Sequence, residues 1–158
     1  MPATRTVTRT HVVRTTSAGS SDPRLWLWAV MLACLALVLI IIALVTPGWF
    51  GQSLMKNCGR SCIGTVVLCC SAIFFLVLGI ITMVLFGTRL LTSFSSGMKL
   101  GSSILLTVAG ILIVSSYMHV FVYARNNYSL YLLVTSSILT FVSSNIIAFW
   151  LGQHWLVV

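Results

Sequence analysis

The sequence predicts an all-α membrane protein, a left-handed bundle of four transmembrane helices with both termini in the cytoplasm. Two observations give the class: the mean hydropathy of the 158-residue chain is +1.10, and only 6% of its residues are charged. Soluble domains carry about 25% charged residues, because water must wet their surface. We therefore expect lipid around most of the surface of this chain.

Four apolar runs are long enough to cross a bilayer. A hydrocarbon core about 30 Å thick needs roughly 20 apolar residues in a helix. The first two runs contain no charged residue, the third contains one histidine and the fourth contains one asparagine. The predicted spans are residues 25–45, 63–87, 100–123 and 130–151.

The remaining segments complete the predicted domain organisation. The first run is too long for the apolar region of a signal peptide, and no small-x-small cleavage site precedes Pro47, so the run should be retained. Residues 95–97, two serines and a glycine, should lie in the linker before the third span. The chain then consists of a disordered basic tail (1–24), the transmembrane domain (25–151) and a short cytoplasmic tail (152–158).

The positive charges predict the orientation, because cytoplasmic segments collect Lys and Arg. Six cationic residues lie on the side of the N-terminus and three on the opposite side, namely Arg5, Arg9, Arg14, Arg24, Arg89 and Lys99 against Lys56, Arg60 and Arg125. The tail is too polar to fold alone. Its four arginines, Arg5, Arg9, Arg14 and Arg24, should contact the inner leaflet, each attracted to anionic lipid by roughly 1 kcal/mol. The tail has no Phe, Tyr or Trp to stack on bases, so nucleic acid is not an expected partner.

Small residues on three helices predict tight helix packing. In lipid such residues let helix backbones approach closely. Their spacing gives each helix one small-residue face: Ala29, Ala33, Ala36 and Ala43 on the first, Ser103, Thr107 and Gly110 on the third, and Ser136, Ser137, Thr140, Ser143 and Ser144 as one stripe on the fourth. The preferred interpretation is packing within one molecule, and a seam between copies is the alternative.

Two polar residues lie inside the spans, His119 and Asn145. A polar residue at membrane depth is a functional candidate. No span contains a charged residue that could pair with either one. We expect His119 to bond to a neighbour or to water, and Asn145 to bond across to another helix.

The shortage of acids excludes most chemistry, since Asp22 is the only acidic residue of the chain. Paired carboxylates, His–carboxylate metal sites and Ser–His–Asp triads cannot be assembled. The sequence therefore predicts no enzyme activity, no metal, no cofactor and no small-molecule substrate. One enzyme class stays open as an alternative, a membrane thiol oxidoreductase that uses Cys58 and Cys62, although their C-x3-C spacing differs from the usual C-x-x-C.

The loop after the first span would lie in an oxidising compartment, where disulfides persist. A pair of cysteines four residues apart, Cys58 and Cys62, could close a small ring there. A structural disulfide is the preferred interpretation over a redox site.

Short motifs resemble one family of tetraspan proteins. Thr46-Pro47-Gly48-Trp49 puts a tryptophan at the exit of the first helix, a cysteine pair follows, and Ala109-Gly110-Ile111 precedes Tyr117 in the third helix. Over residues 25–151 the chain resembles the claudin, peripheral myelin protein and epithelial membrane protein superfamily. That family's G-L-W before the first cysteine is missing, and the short first loop lacks room for its several-stranded sheet.

The resemblance implies a function for the protein and specific roles for the cysteine pair and the tryptophan of the first loop. Cys58 and Cys62 would form the loop disulfide, and Trp49 would anchor at the outer membrane interface, where aromatic rings concentrate. The protein would lie in the plasma membrane, including cell junctions. It would organise contacts or membrane domains with itself or a junction protein, or accompany a channel or receptor. The alternative family is the MARVEL tetraspans of vesicle and junction membranes.

Overall fold

The computed structural model describes residues 23–46, 60–88, 96–124 and 127–155, and the side chains within 24–46, 63–88, 100–121 and 127–152. In these ranges the chain forms four α-helices: α1 (Pro23–Val45), α2 (Arg60–Gly87), α3 (Ser96–Ala124) and α4 (Tyr128–Trp155). Each helix is long and apolar enough to cross a membrane, over Arg24–Val45, Ile63–Gly87, Leu100–Phe121 and Tyr128–Gly152. The predicted all-helical class, with four helices that are each able to span a membrane, is confirmed at this level.

All four helices extend past the predicted spans, α1 by only two residues at its start, Pro23. α2 begins at Arg60, α3 begins at Ser96 and α4 ends at Trp155. Ser96 and Gly97 therefore belong to α3, and their placement in a linker was wrong. The reason is that hydropathy measures only the part in hydrocarbon, whereas a helix keeps its internal hydrogen bonds beyond it.

Threonines end the first two helices in the same way. The Thr46 backbone N–H and its Oγ1 both donate to the Ile42 carbonyl oxygen, at 2.9 and 2.8 Å. Thr88 repeats this arrangement with the Val84 carbonyl oxygen, at 3.0 and 2.8 Å. Each hydroxyl thus gives a carbonyl oxygen of the last turn a second hydrogen bond, in addition to the backbone N–H of the threonine itself.

Each helix contacts its neighbours along the chain, and α1 also contacts α4. In the described parts of the chain, the diagonal pairs α1–α3 and α2–α4 make no backbone approach. α1 and α4 run antiparallel, because Ala29 lies beside Ser143 and Ala36 lies beside Ser136. The start of α1 and the end of α4 therefore lie at the same end of the molecule.

The interior consists of two apolar clusters, one toward each end of the helices. The cluster at the end with the start of α1 contains Ala29, Ala33, Ala36, Leu76, Met83, Leu106, Ala109, Ile147 and Leu151. The cluster at the other end contains Ile40, Ala43, Leu44, Cys69, Ala72, Ile113, Val120, Leu130 and Leu133. Large apolar side chains also cover the outside, for example Trp28, Phe74 and Tyr131, each exposed by 63%. A surface of this kind suits lipid and not water.

Candidate functional site

The interface between α1 and α4 is held by a repeated hydrogen bond. Ser136 Oγ donates to the Ala36 carbonyl oxygen at 2.8 Å, and Ser143 Oγ donates to the Ala29 carbonyl oxygen at 2.7 Å. All four residues are fully buried. The serines are seven residues apart on one helix and the alanines seven apart on the other, so the contact recurs after two turns. An alanine methyl is small enough to let the hydroxyl reach the neighbouring backbone.

The same interface continues toward the other end of α1. Ala43 and Ser129 are both fully buried, and each lies a further seven residues along its helix. Ser129 Oγ is 3.5 Å from Thr46 Oγ1 across the two helices. Ala33 is also fully buried, as is Thr140, whose Oγ1 donates to the Ser136 carbonyl oxygen of its own helix. The four alanines predicted to share a face all lie in the interior.

α4 makes a second polar interface with α3 through Ser144. Ser144 Oγ lies 2.8 Å from Thr107 Oγ1 and 3.2 Å from Ser103 Oγ. Ser144 Oγ also lies 3.0 Å from the Ser103 carbonyl oxygen, and Ser103 Oγ lies 3.4 Å from the Ser144 carbonyl oxygen. The three hydroxyls therefore connect the two helices with several alternative donors and acceptors.

The small polar residues of α4 that the sequence predicted to form one stripe are all buried, and this stripe serves two neighbouring helices. Ser136 and Ser143 bond to α1, whereas Ser144 bonds to α3. Successive residues of a helix differ by about 100° in direction, so neighbours in sequence can serve different interfaces. The adjacent serines Ser143 and Ser144 in this way bring α4 into contact with both α1 and α3.

Two glycines allow side chains of a neighbouring helix to approach the backbone. A Cβ atom built at Gly110 of α3 would lie 2.9 Å from the Cζ atom of Phe141 on α4. A Cβ atom at Gly79 of α2 would lie 3.1 Å from Leu106 Cδ2 on α3. The sequence assigned Gly110 to helix packing, and its lack of a side chain leaves room for the ring of Phe141 to pack on the backbone of α3.

Sequence reasoning missed the contact between the start of α1 and the end of α2. Trp26 Nε1 donates to the Met83 carbonyl oxygen at 2.9 Å. The indole lies directly against Gly87, where a Cβ atom would clash with Trp26 Cε2. The sequence signal for this contact was the position of the two residues: Trp26 lies near the start of the first span and Gly87 at the end of the second, and these two ends lie on the same side of the membrane if both spans cross it.

The two intramembrane candidates have different surroundings. His119 Nδ1 lies 3.2 Å from Thr65 Oγ1 of α2, so it has a neighbour as predicted. Asn145 is exposed, and its Nδ2 donates to the Phe141 carbonyl oxygen of its own helix at 2.8 Å. The expected bond from Asn145 to another helix is therefore absent within the described residues, because the side chain points away from the interior.

The described cysteines are free thiols. Cys69 is fully buried, whereas Cys34 and Cys70 are exposed. Cys62 lies in the first turn of α2, but its side chain, like the whole of Cys58, lies outside the described residues. The predicted disulfide and the thiol oxidoreductase site therefore stay predictions.

Other predicted site residues also fall outside the described ranges. These are the interface anchor Trp49 and the tail residues Arg5, Arg9 and Arg14. Arg24 is described, and its side chain is exposed in the first turn of α1. In the part of the chain with described side chains, no group of three or more His, Cys, Asp or Glu residues could hold a metal ion.

Comparison of the chain with models of known protein families, with curated protein sequences and with solved structures found no match.

Proposed function

We propose that this chain is a non-enzymatic tetraspan membrane protein with a structural or accessory role. It would organise a cell contact or a membrane domain, or accompany a channel or receptor. The observation that carries the proposal is the use made of polar groups inside the spans. Ser136, Ser143 and Trp26 each donate to a backbone carbonyl of a neighbouring helix. Their donors thus hold the helices together and are not presented to a ligand.

In this proposal the chain forms a left-handed four-helix bundle in the plasma membrane, with both termini in the cytoplasm. The charge imbalance supports this orientation, with six cationic residues on the side of the termini and three on the other. The antiparallel contact of Ala29 with Ser143 also supports it, because it puts the start of α1 and the end of α4 together. The arginines of the tail would then lie against the inner leaflet.

The proposed contact region outside the cell is the segment between α1 and α2. By resemblance to the claudin-like superfamily, Cys58 and Cys62 would close it and Trp49 would fix it at the membrane interface. The short length of this segment argues for contact with a partner over sealing by an extracellular sheet.

The test is imaging of a tagged copy in a culture that mixes expressing and non-expressing cells. Enrichment only where two expressing cells touch is the result expected for a contact role. A uniform distribution together with a co-purifying channel or receptor is the result expected for an accessory role. Thiol–disulfide exchange catalysed by the purified protein, and lost in Cys58→Ser, would overturn both roles and favour the oxidoreductase.

A further inference from the structure

Asn145 is an exposed residue of α4 whose hydrogen-bonding capacity is not used up by its own helix. Asn145 lies inside the spanning segment Tyr128–Gly152 and is exposed. A carboxamide has two N–H donors and a carbonyl acceptor. One N–H donates to the Phe141 carbonyl oxygen. Within the described residues, no partner is found for the second N–H or for Oδ1, and such groups are costly to leave in hydrocarbon.

Two exposed hydroxyl residues of the spans differ from Asn145. Thr135 Oγ1 donates to the Tyr131 carbonyl oxygen, and Ser115 Oγ donates to the Ile111 carbonyl oxygen, both at 2.9 Å. A hydroxyl has a single donor, so each of these side chains satisfies it within its own helix. Asn145 alone among these three keeps both a donor and an acceptor directed away from the interior.

The surface beside Asn145 allows close approach of another backbone. Ala148 and Gly152 are four residues apart and exposed, the small-xxx-small spacing that lets two membrane helices meet. Apart from the adjacent backbone of α4, no atom of the described residues lies within 4 Å of the position that a Cβ of Gly152 would take. At 100° per residue, Asn145, Ala148 and Gly152 fall on one face of α4, beside the exposed side chains of Ile138 and Phe149.

We propose that this face of α4, defined by Asn145, Ala148 and Gly152, binds the same face of a second copy of the chain. Each Asn145 would donate its second N–H to the Oδ1 of the other copy. Two carboxamides can each donate an N–H to the oxygen of the other. A hydroxyl whose single hydrogen is already bonded to its own helix cannot donate to a second copy. Copies in one membrane share an orientation, so a twofold axis along the membrane normal brings identical residues together at the same depth. This inference does not depend on the proposed role.

The experiment measures energy transfer between two differently labelled preparations of the full-length protein in phosphatidylcholine vesicles, over a range of protein-to-lipid ratios. Wild type should associate, and Asn145→Leu should weaken the association constant by about tenfold. Gly152→Leu should also weaken association, because it holds the two backbones apart. The matched control is Thr135→Val on the same helix, which should associate like wild type.

Two results would overturn the proposal. One is a wild-type protein that stays monomeric at every protein-to-lipid ratio, which would show that this face of α4 does not bind a second copy and would point to a different membrane protein as its partner. The other is association of Asn145→Leu equal to that of wild type. Neither substitution removes a described contact between helices of one chain, so thermal unfolding in detergent should show that both variants fold.

Discussion

Gly110 and Gly101 lie on the same helix but have different surroundings. A Cβ at Gly110 would be 2.9 Å from Phe141 Cζ, whereas a Cβ at Gly101 would meet no described atom within 4 Å beyond the adjacent backbone of α3. We expect Gly110→Val to lower the free energy of unfolding by about 1–3 kcal/mol, because overpacking forces Phe141 or the α3–α4 spacing to shift. The measurement is the free energy of unfolding in detergent, with the loss of helix monitored by circular dichroism. Gly101→Val is the control, and an equal effect of both substitutions would contradict the packing of Phe141 on α3.

The two residues that define the glycosylation sequon Asn127-Tyr128-Ser129, its asparagine and its serine, have poorly accessible side-chain groups. Ser129 is fully buried against α1, and the Asn127 amide nitrogen is also buried. We expect the protein made in mammalian cells to carry no N-glycan, since the amide nitrogen is the atom that accepts the sugar. Endoglycosidase treatment should leave its electrophoretic mobility unchanged. A mobility shift that disappears in Asn127→Gln would show that this end of α4 is open.

Among the helices, α4 carries the most informative interface, the two serine-to-carbonyl bonds with α1. The double substitution Ser136→Ala and Ser143→Ala removes both hydroxyl donors. The carbonyl oxygens of Ala36 and Ala29 then lose their hydrogen bonds from α4. Hydrogen bonds between membrane helices are worth about 0.6 kcal/mol on average, so we expect a loss of about 1 kcal/mol in unfolding free energy.

The control for this double variant is Ser115→Ala. Ser115 is an exposed serine of α3 that bonds only to its own helix, and its removal should change the unfolding free energy little. If the double variant and Ser115→Ala have the same stability in detergent, the two bonds do not hold α1 to α4.

The spans and the alanine face of α1 could be predicted from the sequence because both depend on composition and helical periodicity. The partners of the polar residues could not, since they depend on how each helix is rotated about its axis. Ser143 and Ser144 illustrate this: they are adjacent in sequence, yet one bonds to α1 and the other to α3. Asn145 was expected to bond to another helix but is turned outward. The Trp26–Gly87 contact was missed because it joins residues from two different helices.

At the scale of the whole molecule, the four helices form a closed ring of contacts. Short connections keep successive helices side by side, but no connection brings α1 to α4. That closing contact comes from small residues, Ala29 and Ala36 against Ser143 and Ser136. The two ends of the membrane domain therefore lie on one side of the bilayer if all four helices cross it.

The central claim is that all four helices cross the membrane and leave both termini in the cytoplasm. The most direct measurement is antibody access to epitope tags at the N-terminus, at the C-terminus and within residues 47–59, on intact and on permeabilised cells. We predict that the tag within residues 47–59 binds antibody on intact cells, and that both terminal tags bind it only after permeabilisation. Binding to either terminal tag on intact cells would contradict the claim.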